Sequence, residues 1–200
     1  MRFKQALIRG LTALIFALPI AAAHANTRVE LTELQVERAD GALYLSAQLH
    51  FSLPATVEDA LNKGIPIYFV ASAETVRERW YWYDREIASA HRYMRVTYQP
   101  LTRRWRLNLS PEPLVNAGLG VTFTQYFDTL AEALASIQRM ARWRIAALSD
   151  LDPAARQSVK FRFRLDASQL PRTFQMGAVG ESDWALSIER QIDLTTEAAR

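Results

Sequence analysis

The stretch ASAHRYMRVTYQPLTRRWRLNLS, residues 88–110, decides the fold of this chain. Apolar residues alternate with polar ones on both sides of its Gln-Pro pair: Met94, Val96, Tyr98, Trp105, Leu107 and Leu109. A period of two marks a strand that buries one face, and the Gln-Pro pair separates two such runs. The stretch therefore predicts two neighbouring antiparallel strands whose alternating apolar side chains form one side of a core.

The segment before this stretch carries four consecutive aromatic residues in the sequence RERWYWYDRE, residues 77–86. Residues 65–84 are predicted to form a third long strand of the same meander, bent near residues 71–73. Successive side chains of a strand point to opposite faces. The members that we expect on the core face are Val76, Trp80 and Trp82.

The N-terminal part of the mature chain predicts a hairpin and a short helix. Residues 28–53 form the hairpin around an Ala-Asp-Gly turn, and a slip in the apolar phase predicts a β-bulge near residues 32–33. Residues 54–64 form the helix, with Thr56 as its cap and Gly64 at its end.

The C-terminal half contains one strong amphipathic helix. Apolar residues at three- and four-residue spacing predict it over residues 128–142, begun by Asp128 or Thr129. Residues 111–123 read mainly as a loop, and strands are predicted over residues 141–148, 158–166 and 183–194. The absence of alternating strands and helices argues against a parallel α/β fold. The predicted class is mainly β or α+β, an antiparallel β-meander or sandwich with one main helix packed on it and one short helix.

The first 25 residues have the three-part composition of a secretory signal. A basic segment precedes an apolar run that is too short to span a membrane, and small residues follow at a cleavage site between Ala25 and Asn26. We therefore expect a signal peptide over residues 1–25, a single globular domain over residues 26–194 and a disordered tail over residues 195–200. The expected location is the bacterial periplasm, and no transmembrane segment is expected after cleavage.

Charge does not predict a nucleic-acid partner. Three of the 24 Lys and Arg residues and none of the 21 Asp and Glu residues precede the cleavage site, so the mature chain carries 21 basic and 21 acidic groups. The basic groups are almost all arginine, which binds carboxylates and phosphates through a planar fork. Their abundance has two open explanations, a role in binding and a GC-rich genome.

Residues that carry common enzyme chemistry are scarce. The mature chain has no Cys and two His, His50 and His91, and it contains none of the usual metal, nucleophile or phosphate-loop motifs. No metal site and no cofactor are therefore predicted. An alternative is a periplasmic hydrolase of cell-wall glycan or peptide that uses His91 or paired acids such as Asp84 and Glu86.

The strand face opposite the predicted core is rich in arginine and tyrosine. Its predicted members are Arg77, Arg79, Tyr81, Tyr83, His91, Tyr93, Arg95, Arg104 and Arg106. Three interpretations stay open: a self-satisfied Arg–Tyr ladder, a surface for an envelope or membrane protein partner, and a site for an anionic envelope ligand. A helix over residues 128–142 that covered this face would make it a second core.

Several motifs resemble an uncharacterised proteobacterial family, domain of unknown function 4390, some of whose members are labelled proline-rich signal peptide proteins. The motifs are W-Y-W-x-D at residues 80–84, Y-x-P-L-T-R-x-W-R at residues 98–106 and R-L-D-x-S-x-L-P-R at residues 164–172. Thr173 stands where the family usually has a second proline. The resemblance covers nearly the whole mature chain, implies a periplasmic or membrane-associated domain and brings no catalytic residue. The sequence thus favours a non-enzymatic binding module over an enzyme.

Overall fold

Nine strands and two α-helices follow one another through the residues that the computed structural model describes, which are 29–78, 84–114, 122–170 and 186–194. In chain order they are β1 (Glu30–Ala39), β2 (Ala42–His50), α1 (Ala55–Asn62), β3 (Ile67–Arg77), β4 (Arg85–Gln99), β5 (Arg104–Ser110), β6 (Phe123–Phe127), α2 (Leu130–Gln138), β7 (Arg139–Ala147), β8 (Gln157–Leu165) and β9 (Ser187–Asp193). The predicted class, mainly β with two helices, is confirmed. The predicted signal peptide, with Ala25 and Asn26, and the predicted tail lie outside the described residues.

The strands form two antiparallel sheets. One has three strands in the order β1-β2-β7, and the other has six in the order β6-β5-β4-β3-β8-β9. Strands β3 to β6 are the predicted meander, extended by one strand. Met94 lies opposite Leu109, and Val96 lies opposite Leu107, so the apolar rows of β4 and β5 share a face as expected.

The hydrophobic core lies where the two sheets meet. Strand β7 of the smaller sheet contacts β3 and β4 of the larger one. The rings of Phe51, Phe69 and Phe163 pack together with centroids 5.4–5.8 Å apart. Helix α1 adds Val57 and Leu61, both fully buried, to the same cluster. Burial of each such side chain stabilises the fold by about 1.5–3 kcal/mol.

The N-terminal hairpin is confirmed, and its details follow the sequence closely. Strands β1 and β2 pair antiparallel, and their register shifts between Leu31 and Glu33, where the β-bulge was expected. The prediction that Thr56 caps the short helix is wrong, because Pro54 occupies the cap position and Thr56 lies inside the helix. Gly64 ends the helix with a φ of 82°, a left-handed conformation that glycine adopts without strain.

The main helix is shorter than its periodicity suggests. Thr129 caps it as expected, because its hydroxyl accepts a hydrogen bond from the backbone N–H of Glu132 at 3.2 Å. It ends at Gln138, and residues 139–142 already belong to β7. Pairing with β2, in which Met140 lies opposite Ala47, satisfies this backbone in place of another helical turn. The predicted extent to residue 142 is therefore wrong.

Three further predictions about strands are corrected. Residues 123–127 form β6 and were not predicted as a strand. Strand β3 was predicted to reach residue 84, but it ends at Arg77. Val76 was expected on the core face, but Thr75 takes that parity, opposite Val159 of β8, and Val76 points to the other side. The predictions for Trp80 and Trp82 fall in residues 79–83, outside the described part of the chain.

Candidate binding face of the six-stranded sheet

The face of the larger sheet that points away from the core is the candidate site, called the outer face below. The register shows which residues belong to this face, because directly opposed residues on antiparallel strands point to the same side of the sheet. One row joins Thr124, Asn108 and Arg95 across β6, β5 and β4. The next row joins Tyr126, Arg106 and Thr97. Arg95 and Arg106 are therefore diagonal neighbours on adjacent strands.

Five of the predicted face residues have this outer parity: His91, Tyr93, Arg95, Arg104 and Arg106. Three others, Arg79, Tyr81 and Tyr83, lie outside the described residues. The structure brings the five together on β4 and β5, next to β6.

Arg77 is the exception, and its predicted position on the outer face is wrong. It lies opposite Gln157 and has the parity of Ala73 and Thr75, which face the core. Its guanidinium pairs with Asp152 at 3.0 Å, in the loop before β8. The prediction failed because it took the core phase from Val76, Trp80 and Trp82, whereas β3 keeps the phase of Phe69, Ala71 and Ala73 through Arg77, without a register shift against β8.

On the β8 side of the outer face, each basic side chain has a carboxylate partner. Arg162 pairs with Glu189 at 2.7 Å, and Arg164 pairs with Asp166 at 2.9 Å. The ammonium of Lys160 bonds Asp84 at 2.8 Å, and this bond raises the pKa of Lys160. This half of the face is neutralised by the protein itself.

The β4–β5 side differs, and we call Arg95, Arg104, Arg106 and Tyr126 the arginine strip. Arg95 donates a 3.3 Å hydrogen bond to the side-chain oxygen of Asn108, which is a neutral partner. Arg104 pairs with Asp128 at 2.9 Å and stands 5.9 Å from the ring centroid of Tyr126. Across the described ranges, no carboxylate pairs with Arg95 or Arg106.

Among the described residues, three of the five buried side-chain polar atoms without a partner lie on the same two strands, and the other two lie on β3. The Nε atoms of Arg95 and Arg106 and the hydroxyl of Thr97 are shielded from solvent and make no hydrogen bond with a described group. A buried unpaired polar group typically costs about 1–3 kcal/mol. Packing within the sheet thus leaves these guanidiniums under-satisfied, unlike those of β8.

The main helix does not cover the arginine strip. Ser136 of α2 donates a 3.2 Å hydrogen bond to Gln125, and Gln125 lies opposite Leu107, on the core side of the sheet. Ala133 and Ile137 of the helix belong to the core cluster. The helix therefore packs on the inner face, and Tyr126 on the other side stays 49 % exposed.

The centre of the outer face is covered by a different segment. Pro113 and Leu114, which follow β5, share a gap of about 10 Å³ with Tyr68, Val70 and Tyr93. Leu114 and Val70 are both buried, so this contact is apolar packing. Tyr93 is half-buried, as are Arg95 and Arg106, and the exposed members of the arginine strip are Arg104 and Tyr126.

The residues named for a hydrolase do not converge. His91 lies 3.3 Å from the hydroxyl of Ser89, and Asp84 is held by Lys160. Glu86 is exposed opposite Val76. His91 lines an open cleft to which no described Asp or Glu contributes. The described residues contain no cluster of three or more potential metal ligands and no helix long and apolar enough to cross a membrane.

Sequence reasoning missed Arg92, Asn108 and Tyr126. Arg92 has the core parity of Ala90 and Met94, and an arginine inside that apolar row was the signal that could have found it. Tyr126 could not be found, because no strand was predicted over residues 123–127.

A family model, described as a domain of unknown function (DUF4390), matches residues 26–192. Neither the curated proteins nor the solved structures gave a match.

Proposed function

The chain belongs to the DUF4390 family, and we propose that it is an exported, non-enzymatic binding module that holds an acidic segment of an envelope protein with its arginine strip. One observation carries the proposal: Arg95 and Arg106 lack a carboxylate among the described residues, whereas Arg162, Arg164 and Lys160 on the same face each have one. A partner would supply the missing negative charge.

Geometry supports a carboxylate as the partner's binding group. Asn108 lies opposite Arg95, and Arg106 is the next outward residue on β5, so the two arginines are diagonal neighbours. Such neighbours have Cα atoms about 7–8 Å apart. Two guanidiniums at that spacing can converge on one carboxylate, and charge-assisted bonds of this kind are roughly twice as strong as neutral ones.

The shape and composition of the strip support a protein rather than a small molecule. The strip follows the surface of a sheet, where the half-buried Arg95 and Arg106 are accompanied by the exposed ring of Tyr126. Arginine and tyrosine are enriched among residues that dominate binding energy at protein interfaces. An extended acidic segment could follow the strands and meet Arg95, Arg106 and Tyr126 in turn.

Export to the periplasm is the second part of the proposal, and it is supported by the composition of residues 1–25. The hydrolase alternative is not carried forward, because Asp84 and Glu86 do not line the cleft that contains His91.

Site-specific photo-crosslinking tests the binding surface in living cells. A photoreactive phenylalanine derivative at Tyr126 should capture an envelope protein, and mass spectrometry should place the crosslink near Asp or Glu residues of that protein. The double substitution R95Q/R106Q should reduce the crosslink at least tenfold, because both charges are lost. The same probe at Ser187, an exposed position at the other edge of the face, should capture much less.

The chain offers a matched control for this double substitution. R162Q/E189Q also removes charge from the outer face, but it removes a pair that is already neutralised. The crosslink at Tyr126 should survive it. Equal crosslinking by the wild type and R95Q/R106Q would overturn the proposal.

A further inference from the structure

A cleft of about 510 Å³ opens between the two sheets, apart from the arginine strip. It lies where β5 ends at Ser110, beside α2 and β7. Strand β4 extends beyond the end of β5. The pairing of β4 with β5 begins at Tyr93, and the residues of β4 that precede Tyr93 have no described strand next to them on the β5 side. The volume falls within the range of about 300–1,000 Å³ that is typical of small-molecule sites.

The cleft is cationic. Arg92 and Arg139 line it, and none of the described lining residues is acidic. The guanidinium of Arg92 lies over the indole of Trp143, 5.1 Å from the ring centroid. No hydrogen bond or ion pair to the N–H groups of this guanidinium occurs among the described groups. Burial lowers the pKa of Arg92, which is consistent with a partly desolvated charge.

The rest of the lining is mostly apolar. Trp143, Leu109 and Phe123 contribute large side chains, and Phe123 is 61 % exposed although it lies against the cleft. An exposed phenylalanine beside an unpaired, desolvated arginine favours a ligand with both an apolar part and a negative charge. A planar anion suits the free edge of a guanidinium best, because the two can form parallel N–H···O bonds.

We propose that this cleft binds a small organic carboxylate, with the carboxylate on Arg92, Arg139 nearby as a second cation, and the apolar part against Trp143 and Phe123. This inference does not depend on the proposed function, because Arg92 points to the core side of β4 and Arg95 to the outer side.

Isothermal titration calorimetry of the mature protein with octanoate tests the site. Octanamide, which has the same chain without the charge, should bind at least tenfold more weakly. Inorganic phosphate, which has charge without the chain, should bind at least tenfold more weakly than octanoate. Absence of octanoate binding at millimolar concentration, or equal binding of octanamide, would overturn the inference.

Variants locate the binding. R92Q should weaken octanoate binding at least tenfold, and R144Q, on the exposed side of β7 next to Trp143, should leave it unchanged. Ala141 lines the cleft and is exposed, so A141F should block the ligand without altering Arg92. Circular dichroism checks that each variant is folded. Unchanged binding in both R92Q and A141F would place the ligand elsewhere.

Discussion

Arg92 of β4 and Trp143 of β7 join the two sheets, with the guanidinium carbon 5.1 Å from the centroid of the indole. The contact lies at the edge of the core, because Arg92 alternates in phase with Ala90 and Met94. It is thus a cation–π contact between sheets in a partly desolvated place, where such interactions are strongest.

The first prediction concerns the energy of this contact. A double-mutant cycle with R92M and W143L should give a coupling of about 1–2 kcal/mol in the free energy of unfolding, measured by urea denaturation. Arg142 and Tyr44 provide the comparison at 4.7 Å, where the arginine side chain is 53 % exposed. Their coupling should stay near about 0.5–1 kcal/mol. Equal couplings would mean that burial does not strengthen the contact of Arg92.

The second prediction is a pH dependence at the other end of the outer face. The bond from Asp84 raises the pKa of Lys160 above its unfolded value. The resulting stabilisation is complete below the unfolded pKa, which is about 10.4, and is lost as pH rises through the folded value. D84N should therefore be less stable than the wild type at pH 8, and the difference should shrink at pH 11.5. Because the pair is exposed, we expect at most about 1 kcal/mol.

Urea denaturation of both proteins at the two pH values makes this measurement. K160M serves as the control, since D84N should have no such pH-dependent effect in that background. A difference between D84N and wild type that is equally large at pH 11.5 would show that Asp84 acts through something other than the charge of Lys160.

The third prediction concerns export. The protein purified from the periplasmic fraction should begin at Asn26, which intact mass and N-terminal sequencing can show. A25R should leave the precursor uncleaved, because the peptidase requires a small residue there. A mature protein that keeps residues 1–25, or one confined to the cytoplasm, would contradict the prediction.

Much of the fold could be predicted from period-two patterns. Met94, Val96 and Leu107 alternate so regularly that their shared buried face follows from the sequence. Strand β6 could not be predicted, since five residues at a sheet edge, with Phe123 and Tyr126 both exposed, show no one-sided burial. The end of α2 was missed because Met140 fits a helical spacing as well as the strand that replaces it.

The candidate site was only partly predictable for a similar reason. The alternation of side chains along β4 and β5 correctly predicted that Arg95 and Arg106 lie on one face. Arg77 was misplaced because the apolar residues of β3 fit both phases: Phe69 and Ala73 mark the true core side, and Val70 and Val76 are also buried on the other. The pairing of Arg162 with Glu189 depends on β9 lying next to β8. The distinction between neutralised and unpaired arginines therefore needed the strand order.

The last prediction separates stability from function in the arginine strip. R106M keeps the length of the side chain but removes an unpaired charge beside Arg95 and a buried Nε without a partner. It should raise the free energy of unfolding by about 0.5–1 kcal/mol, because the unsatisfied group costs about 1–3 kcal/mol. Such a gain with loss of binding is a common compromise at functional surfaces. Urea denaturation measures the gain, and 1 M NaCl should reduce it by screening the arginine pair.

R162M is the control: it leaves Glu189 without its partner, so it should be neutral or slightly destabilising. A destabilised R106M would mean that the arginine supports the fold itself.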